Sequence, residues 1–215
     1  MKTVVLSLAL LIHGITYGQN FVWVFLNKKE NKEELPAEQV KEIMDGHMAN
    51  ISRLAKEGKL LAAGPFEEGG GIFVFDSHSF AEVNEWLSTD PGIQAKRWDI
   101  ELFSYTARTG SVCSVGEKYE MTNYYFVRYT TQIVKRVGKV PEARQAHQAY
   151  IKPWAESGAV IAEGSLSEEA GSVLVLKEKP STEELMNDPA VKSGALNADL
   201  EKLFIARGSF CEPKP

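Results

Sequence analysis

The apolar residues of this chain form short runs and helical repeats that recur in the same order in its two halves. Residues 21–26 (FVWVFL) and 124–129 (YYFVRY) are rich in aromatic and β-branched side chains, which predicts two strands. Between residues 36 and 56, apolar side chains recur at steps of three and four, which predicts an amphipathic helix. Each half therefore begins with a strand that leads into a helix.

The rest of each half follows one further pattern. Pro36 and Pro141 stand near the predicted starts of the two long helices, and Gly58 and Gly158 stand where those helices should end. Two short strands, a second helix and a closing strand then complete each copy, at 60–63, 72–75, 79–87 and 98–105 in the first and at 160–162, 173–176, 181–186 and 200–206 in the second. The order in both copies is βαββαβ, which is typical of a ferredoxin-like unit.

Individual residues recur at a constant distance, which predicts an internal duplication. His47 and His147 are one hundred positions apart, as are the glycines that follow them at 58, 64 and 71 in the first copy and at 158, 164 and 171 in the second. The later pairs, Asp90 with Asp188 and Cys113 with Cys211, are 98 apart. A two-residue deletion after Gly171 would reconcile the two offsets. We predict one copy over residues 19–113 and another over 114–215.

This pattern predicts an α+β fold. A four-stranded antiparallel sheet with helices on one face leaves its other face in need of cover, and the aromatic strands suggest that this second face is buried. Two fused copies can supply that cover by packing sheet against sheet. We therefore expect tandem ferredoxin-like βαββαβ repeats in an intramolecular pseudo-dimer, as a monomeric chain.

Composition and the first residues bear on location and partners. The 215 residues are 44% apolar and 25% charged, with a net charge of -5, which argues against a nucleic-acid partner. Residues 1–18 combine Lys2 with a short apolar stretch, as in a signal peptide; a buried first strand is the alternative. We expect a periplasmic or secreted protein that has no membrane segment after cleavage.

Cys113 and Cys211 are the only cysteines of the chain. An even number in an exported protein favours a disulfide, and two unpaired thiols are the alternative. A metal site is disfavoured because two isolated cysteines lack the paired spacing that zinc uses. We expect neither a metal nor a cofactor.

A longer motif resembles the YCII-related family. Its residues in the first copy are His47, Ile51, the GKLLAAGPF stretch at 58–66, GIFVF at 71–75 and Asp90-Pro91. The second copy matches less well, since Ser165 replaces the proline after the glycine. The resemblance covers roughly residues 20–106 and 122–206. It implies a dimeric α+β barrel of ferredoxin-like units, an active centre formed by a histidine and an aspartate, and a few relatives that act on aromatic-ring products.

The candidate catalytic residues are the two repeated pairs. If the fold brings them together, the carboxylate would orient the imidazole for general acid or base work near neutral pH. We assign His47 as the base and Asp90 as its partner, with His147 and Asp188 in the same roles. Pairing within a copy or between copies is open. The structural alternative is a satisfied helical histidine and an Asp-Pro helix end.

Three functions remain from the sequence. The first is a small-molecule enzyme that isomerises a small cyclic or aromatic-derived compound or eliminates a group from it. The second is a non-catalytic module that binds a small ligand between the sheets through Trp23, Phe25, Tyr124 and Phe126, which are otherwise core residues. The third is a structural protein of the same fold. The Gly69-Gly70-Gly71 turn lacks the residues of a phosphate loop, and no G-x-S-x-G elbow is present.

Overall fold

A computed structural model describes residues 20–132 and 140–211 of the chain. The predicted signal peptide at residues 1–18 lies outside the described residues. Within them, no helix combines the length and the apolar character that crossing a membrane requires.

The first half contains four strands and three helices. The long first helix begins directly after Pro36, which occupies its N-cap position. The second helix begins where the Ser79 hydroxyl accepts a hydrogen bond from the Glu82 amide. The elements are β1 (Asn20–Lys28), α1 (Ala37–Lys56), β2 (Leu60–Pro65), β3 (Gly71–Phe75), α2 (Phe80–Leu87), α3 (Pro91–Gln94) and β4 (Trp98–Thr109).

The second half repeats this order with one added turn of helix between its middle strands. Ser181 and Glu184 form a reciprocal capping box at the start of the second helix, as their spacing predicts. The elements are β5 (Met121–Thr131), α4 (Val140–Glu156), β6 (Val160–Leu166), α5 (Ser167–Ala170), β7 (Gly171–Leu176), α6 (Thr182–Asn187), α7 (Pro189–Lys192) and β8 (Leu196–Ala206).

The eight strands form one antiparallel sheet that closes on itself. Their order is β2-β3-β1-β4-β6-β7-β5-β8, so the halves meet where β4 pairs with β6. At the other edge, Phe66 bridges to Leu203, and the Glu67 amide donates to the Lys202 carbonyl. The predicted α+β barrel of two ferredoxin-like units is thereby confirmed, and its two sheets are joined along both edges. The copy boundaries at residues 113 and 114 stay a prediction.

β1, β3 and β7 are apolar at nearly every position because both faces of these strands are buried. One set of side chains fills the barrel, including Trp23 and Phe126, which stack at 5.9 Å between ring centroids. The alternate residues, such as Val24 and Val127, pack under the helices in two separate outer clusters. A strand buried on both faces reads as a continuous apolar run.

Strand register corrects one detail of the predicted repeat. Val24 lies opposite Phe73 in the first half, and Val127 lies opposite Leu174 in the second, an offset of 101 for β3 and β7. Gly171 therefore corresponds to Gly70, and Ser172 corresponds to Gly71. The prediction that equated Gly71 with Gly171 was wrong by one residue, because the turn before β7 is one residue longer. The later deletion consequently spans three residues.

The two cysteines are joined in the structure. Cys113 and Cys211 form a disulfide with a Cα–Cα distance of 5.2 Å, and the Cys113 amide donates to the Ser209 carbonyl. Each cysteine follows the closing strand of its half. The bond therefore ties together the ends of the two units.

Candidate functional site

The first site lies on the outer side of the barrel, where α1 crosses β3 and β4. His47 projects from α1, and Nδ1 of its ring lies 2.9 Å from both carboxylate oxygens of Asp90. Asp90 is fully buried, and His47 keeps only 7% of its surface exposed. Because Nδ1 carries the proton toward the carboxylate, the remaining nitrogen, Nε2, is left with its lone pair.

Asp90 holds its position through local backbone contacts. It is the N-cap of α3, where Oδ1 accepts hydrogen bonds from the amides of Gly92 and Ile93. Pro91 follows at the first helical position, for which its fixed φ is suited. The Asp90 side chain thus caps a helix and also holds the imidazole of His47.

A buried asparagine adds a further contact to this carboxylate. Asn50 lies almost one turn after His47 on α1, and its side-chain amide donates to Oδ2 of Asp90 at 3.1 Å. The Asn50 carbonyl oxygen in turn accepts from Arg53 at 2.7 Å and from Thr89 at 3.0 Å. This chain of donors fixes the orientation of Asn50 and hence of the carboxylate.

The contacts around Asp90 favour its ionised form. Burial raises the pKa of the carboxyl, but hydrogen bonding and charge attraction from His47, together with the Asn50 and Ile93 donors, outweigh burial and leave the pKa below its ordinary value. The group is therefore a carboxylate at neutral pH. A carboxylate can stabilise the imidazolium that forms when the histidine accepts a proton.

Aromatic rings flank the His47 imidazole. Its ring centroid lies 4.8 Å from Trp98 and 5.8 Å from Phe73. Trp98 approaches because position 92 is glycine: a Cβ there would lie 2.6 Å from Cζ3 of the indole. Nε2 of His47 has no hydrogen-bond partner among the described residues, and it does not belong to the fully buried atoms that lack one. It therefore retains contact with solvent.

The second site has the same core and different surroundings. His147 on α4 places Nδ1 2.6 Å from Oδ2 of Asp188, which caps α7 through the Ala190 amide at 2.8 Å. In this site Nε2 of His147 has a hydrogen-bond partner, the hydroxyl of Ser172 at 3.0 Å. The ring also packs against Tyr129 at 4.3 Å between centroids.

The predicted pairs are thus brought together, each within its own half. His47 meets Asp90, and His147 meets Asp188; the alternative pairing across the halves does not occur. That these residues are catalytic stays a prediction. Sequence reasoning missed Asn50 and Ser172, because neither is repeated at the matching position of the other half and the spacing gave no other signal.

The third histidine of the predicted mature chain lies elsewhere. His78 is exposed in the loop before α2 and has no described contact with either pair. Among the residues that the structure describes, no three histidine, cysteine or acidic side chains are grouped as metal ligands.

The four strand aromatics lie in the barrel core. Trp23, Phe25, Tyr124 and Phe126 are all buried and in ring contact with neighbours. Two of them, Phe25 and Phe126, also border a cleft of about 270 Å³ at one end of the barrel. Arg128 crosses this end, with its guanidinium 4.0 Å from the Phe25 ring centroid and 3.0 Å from Glu101.

Comparison with solved structures identifies the fold of this chain. Two structures of chlorite dismutase variants from Candidatus Nitrospira defluvii match with a TM-score of 0.52 and 9% identity, covering 87% of this chain and 92% of theirs. A protein from Lactobacillus acidophilus NCFM described as a monooxygenase matches at a TM-score of 0.42 and 11% identity, over 86% and 93% of the chains. At such identities the first two show the fold alone, a dimeric α+β barrel.

A family model matches part of the chain. Residues 21–101 match the YCII-related domain, and His47 and Asp90 lie inside the matched region. No curated protein matches the chain.

Proposed function

We propose that this protein is an exported small-molecule enzyme that moves protons with the His47–Asp90 pair. The main observation that supports this proposal is the contrast between the two ring nitrogens of His47. Nδ1 is held by a buried carboxylate, and Nε2 is unpartnered and open to solvent. An imidazole oriented in this way is the commonest general base and acid in enzymes.

The geometry suits a simple reaction. Nε2 of His47 would take a proton from a carbon next to a carbonyl group, and the Asp90 carboxylate would stabilise the resulting imidazolium. Return of that proton to another carbon gives isomerisation, and departure of a leaving group as the electron pair shifts gives elimination. The flanking rings of Trp98 and Phe73 favour a flat, apolar substrate, which supports a small cyclic or aromatic-derived compound.

The first site is the better candidate for this direct proton transfer. In the second site, the Ser172 hydroxyl already occupies Nε2 of His147, so a substrate would have to displace it. Asp90 also has the fuller set of donors, which includes Asn50. Finally, the match to the YCII-related domain covers the first half only. We propose that His147 and Asp188 form a second histidine–aspartate pair, whose chemistry differs because Ser172 is bonded to its imidazole.

Hydrogen–deuterium exchange tests the proposal without knowledge of the natural substrate. The protein, from residue 19 onward, is incubated in D₂O with a panel of unsaturated lactones and cyclic ketones, and NMR follows the loss of the proton next to the carbonyl. We expect catalysed exchange with at least one ring compound. His47→Gln should reduce the rate by a factor on the order of 100 or more.

Three variants separate catalysis from folding. Asp90→Asn retains a capping side chain and should lower the exchange rate less than His47→Gln does. His78→Ala removes the exposed histidine that touches neither pair and should leave the rate unchanged. Equal rates in wild type and His47→Gln, with both proteins folded by circular dichroism, would rule out the proposed base.

A binding function without catalysis is the second candidate. The cleft of about 270 Å³ at the barrel end, with Phe25, Phe66 and Phe126 in its lining, favours it, since ligand sites are concave and rich in aromatic side chains. The discriminating measurement is calorimetric titration with the same ring compounds. Phe66→Ala should weaken binding if the cleft is the site, whereas His47→Gln should have no effect on it.

A further inference from the structure

A serine completes a hydrogen-bonded chain in the second half of the molecule. The Ser172 hydroxyl lies 3.0 Å from Nε2 of His147, and Nδ1 of the same ring lies 2.6 Å from Asp188. Hydroxyl, imidazole and carboxylate are therefore joined in series. This is the order in which a serine nucleophile is activated, and such a set is recognised by its geometry rather than by sequence position.

The strand that carries the serine is fixed by its backbone. Gly171 precedes Ser172 and has a φ of +133°, and a Cβ there would lie 1.8 Å from the Tyr129 carbonyl oxygen. Only glycine fits at that point. Ser172 then pairs with Tyr129 on β5, on the side of the sheet that faces α4. The hydroxyl is thereby held toward His147 by the start of β7.

A small cavity reaches this hydroxyl. It has a volume of about 20 Å³, and its lining includes Ser172, His147, Arg108 and Arg144. That volume suffices for one water molecule or for an atom group of similar size. Ser172 keeps 4% of its surface exposed, and His147 keeps 2%, so both are nearly but not fully enclosed.

The two arginines give the cavity a positive wall. Arg108 is paired with the buried carboxylate of Glu163, and Nε of the arginine lies 3.0 Å from Oε2. Arg144 has no ion pair or hydrogen bond among the residues that the structure describes. Its charge is available to a group that carries or develops negative charge, as an acyl oxygen does during attack.

The first half cannot form the same arrangement. Strand register places Gly71 where the second half has Ser172. A side chain there is excluded, since a Cβ on Gly71 would lie 2.5 Å from the carbonyl oxygen of Gly64. The serine is thus a feature of the second half alone, and the chemistry it supports differs from direct proton transfer by His47.

We infer that Ser172, His147 and Asp188 form a nucleophilic site that cleaves esters of small carboxylic acids. Oγ of Ser172 bonds to the acyl carbon while its proton passes to Nε2 of His147. The bond from the acyl carbon to the leaving oxygen then breaks, and the leaving alcohol takes that proton. Water, activated by the same imidazole, releases the acid and restores the serine.

The cavity sets the size of the acyl group. A space of this volume excludes an aromatic ring and accepts only the methyl end of a small acyl group, so the leaving group must lie outside, toward Arg144. This inference concerns the second site and does not rest on the function proposed for His47.

A small sulfonyl fluoride tests the site directly. Methanesulfonyl fluoride carries only a methyl group on its reactive sulfur, and reaction would join that sulfur to Oγ of Ser172 with loss of fluoride. The protein from residue 19 onward is treated with the reagent, and mass spectrometry of its peptides locates the label and its rate of formation. Release of nitrophenol from p-nitrophenyl acetate is measured in parallel.

We expect the label on Ser172 and its loss in Ser172→Ala. His147→Gln should slow labelling and acetate release by a factor on the order of 100 or more, because the hydroxyl then lacks its base. Ser157→Ala removes an exposed serine directly after α4, whose hydroxyl donates to the Trp154 carbonyl and does not line the cavity, and should leave the label on Ser172 in place.

Two results would overturn the inference. One is labelling that is absent from Ser172 or spread over lysines. The other is a rate that is equal in wild type and His147→Gln. If His147→Gln does not fold, Asp188→Asn keeps the helix cap and provides the same comparison, with an expected reduction of about tenfold or more.

Discussion

The two halves of this barrel hold the same histidine and aspartate in different surroundings. In the first half, Asp90 accepts from His47, from Asn50 and from two backbone amides, and Nε2 of His47 is open. In the second half, Asp188 accepts from His147 and one amide, and Nε2 of His147 is closed by Ser172. The comparison shows that a shared fold fixes the pair, whereas single neighbouring residues decide whether Nε2 is open or bonded.

The two halves also differ in the sizes of the residues that pack near each histidine–aspartate pair. The first half combines Gly92 with the large Trp98, and the second half combines Ala190 with the smaller Leu196 at the matching positions. Likewise, the contacts of Asn50 and Arg53 have no counterpart among the described residues of the second half, where Tyr150 donates to the Glu184 carbonyl and Pro153 stands inside α4. In the first half, Gly92 and Trp98 thus form a matched pair, because a larger residue at position 92 would collide with the indole.

The largest effect is expected from the bond that joins the halves. Replacing Cys113 and Cys211 by serine opens a link between residues 98 positions apart. The chain-entropy model gives a loss of about 4.7 kcal/mol in the free energy of unfolding. Chemical denaturation measures it. A single transition in both proteins would show that the halves unfold together, and a second transition in the variant would show that the disulfide couples them.

Next in size is the carboxylate of the first site. Asp90→Asn keeps the helix cap and loses a charged acceptor, which should lower the free energy of unfolding by about 3 kcal/mol. Asp188→Asn should cost less, since Asp188 has fewer donors. Thermal and denaturant unfolding of the two variants check the order. Equal costs would mean that Asn50 adds nothing to the stability of the first site.

The same carboxylate predicts a dependence on pH. Because the folded pKa of Asp90 is lowered, the folded state binds fewer protons, and stability rises with pH through this range. The contribution is complete above the unfolded pKa of about 3.9 and is lost as the pH falls through the folded pKa. The difference between wild type and Asp90→Asn should therefore shrink in acid. A constant difference down to pH 2 would contradict the assignment.

Exchange of the steric pair gives a smaller effect. Gly92→Ala forces a Cβ to within 2.6 Å of Trp98 and should cost about 2 kcal/mol. Trp98→Leu in the same chain recreates the combination of the second half and should recover part of that loss. A double-mutant cycle measures the coupling. Additive costs would show that the indole moves aside without strain.

The polar contacts beside the dyads give the smallest expected effect. Asn50→Ala leaves buried donors and acceptors without their partner and should cost about 1–2 kcal/mol. Tyr150→Phe, its counterpart, removes one exposed hydrogen bond and should cost about 0.5 kcal/mol. Denaturant titration of both variants checks the difference. Equal costs would contradict the view that only Asn50 belongs to the buried network.

Much of this arrangement could be predicted from the chain itself. The continuous apolar strands indicated burial on both faces, and the recurring His47 and His147 indicated a duplicated site. The longer turn before β7 could not be predicted from the sequence. Because neighbouring positions 70 and 71 are both glycine, Gly171 aligns equally well with either of them. Only the hydrogen-bonded pairing of β5 with β7 showed that Ser172 takes the place of Gly71.

Sequence alone determined most of the local structure, the repeated order of elements and the residue types of the two pairs. Capping of α2 by Ser79 and of α6 by Ser181, and the apolar period of α1, depend on near neighbours in the chain and could be predicted there. The short helices that Asp90 and Asp188 cap were not predicted. Tertiary structure decided which partners the nitrogens of each imidazole have, since those partners lie 25 to 43 positions away in the chain. Contacts of this range are set by strand register and helix packing, and no local pattern encodes them.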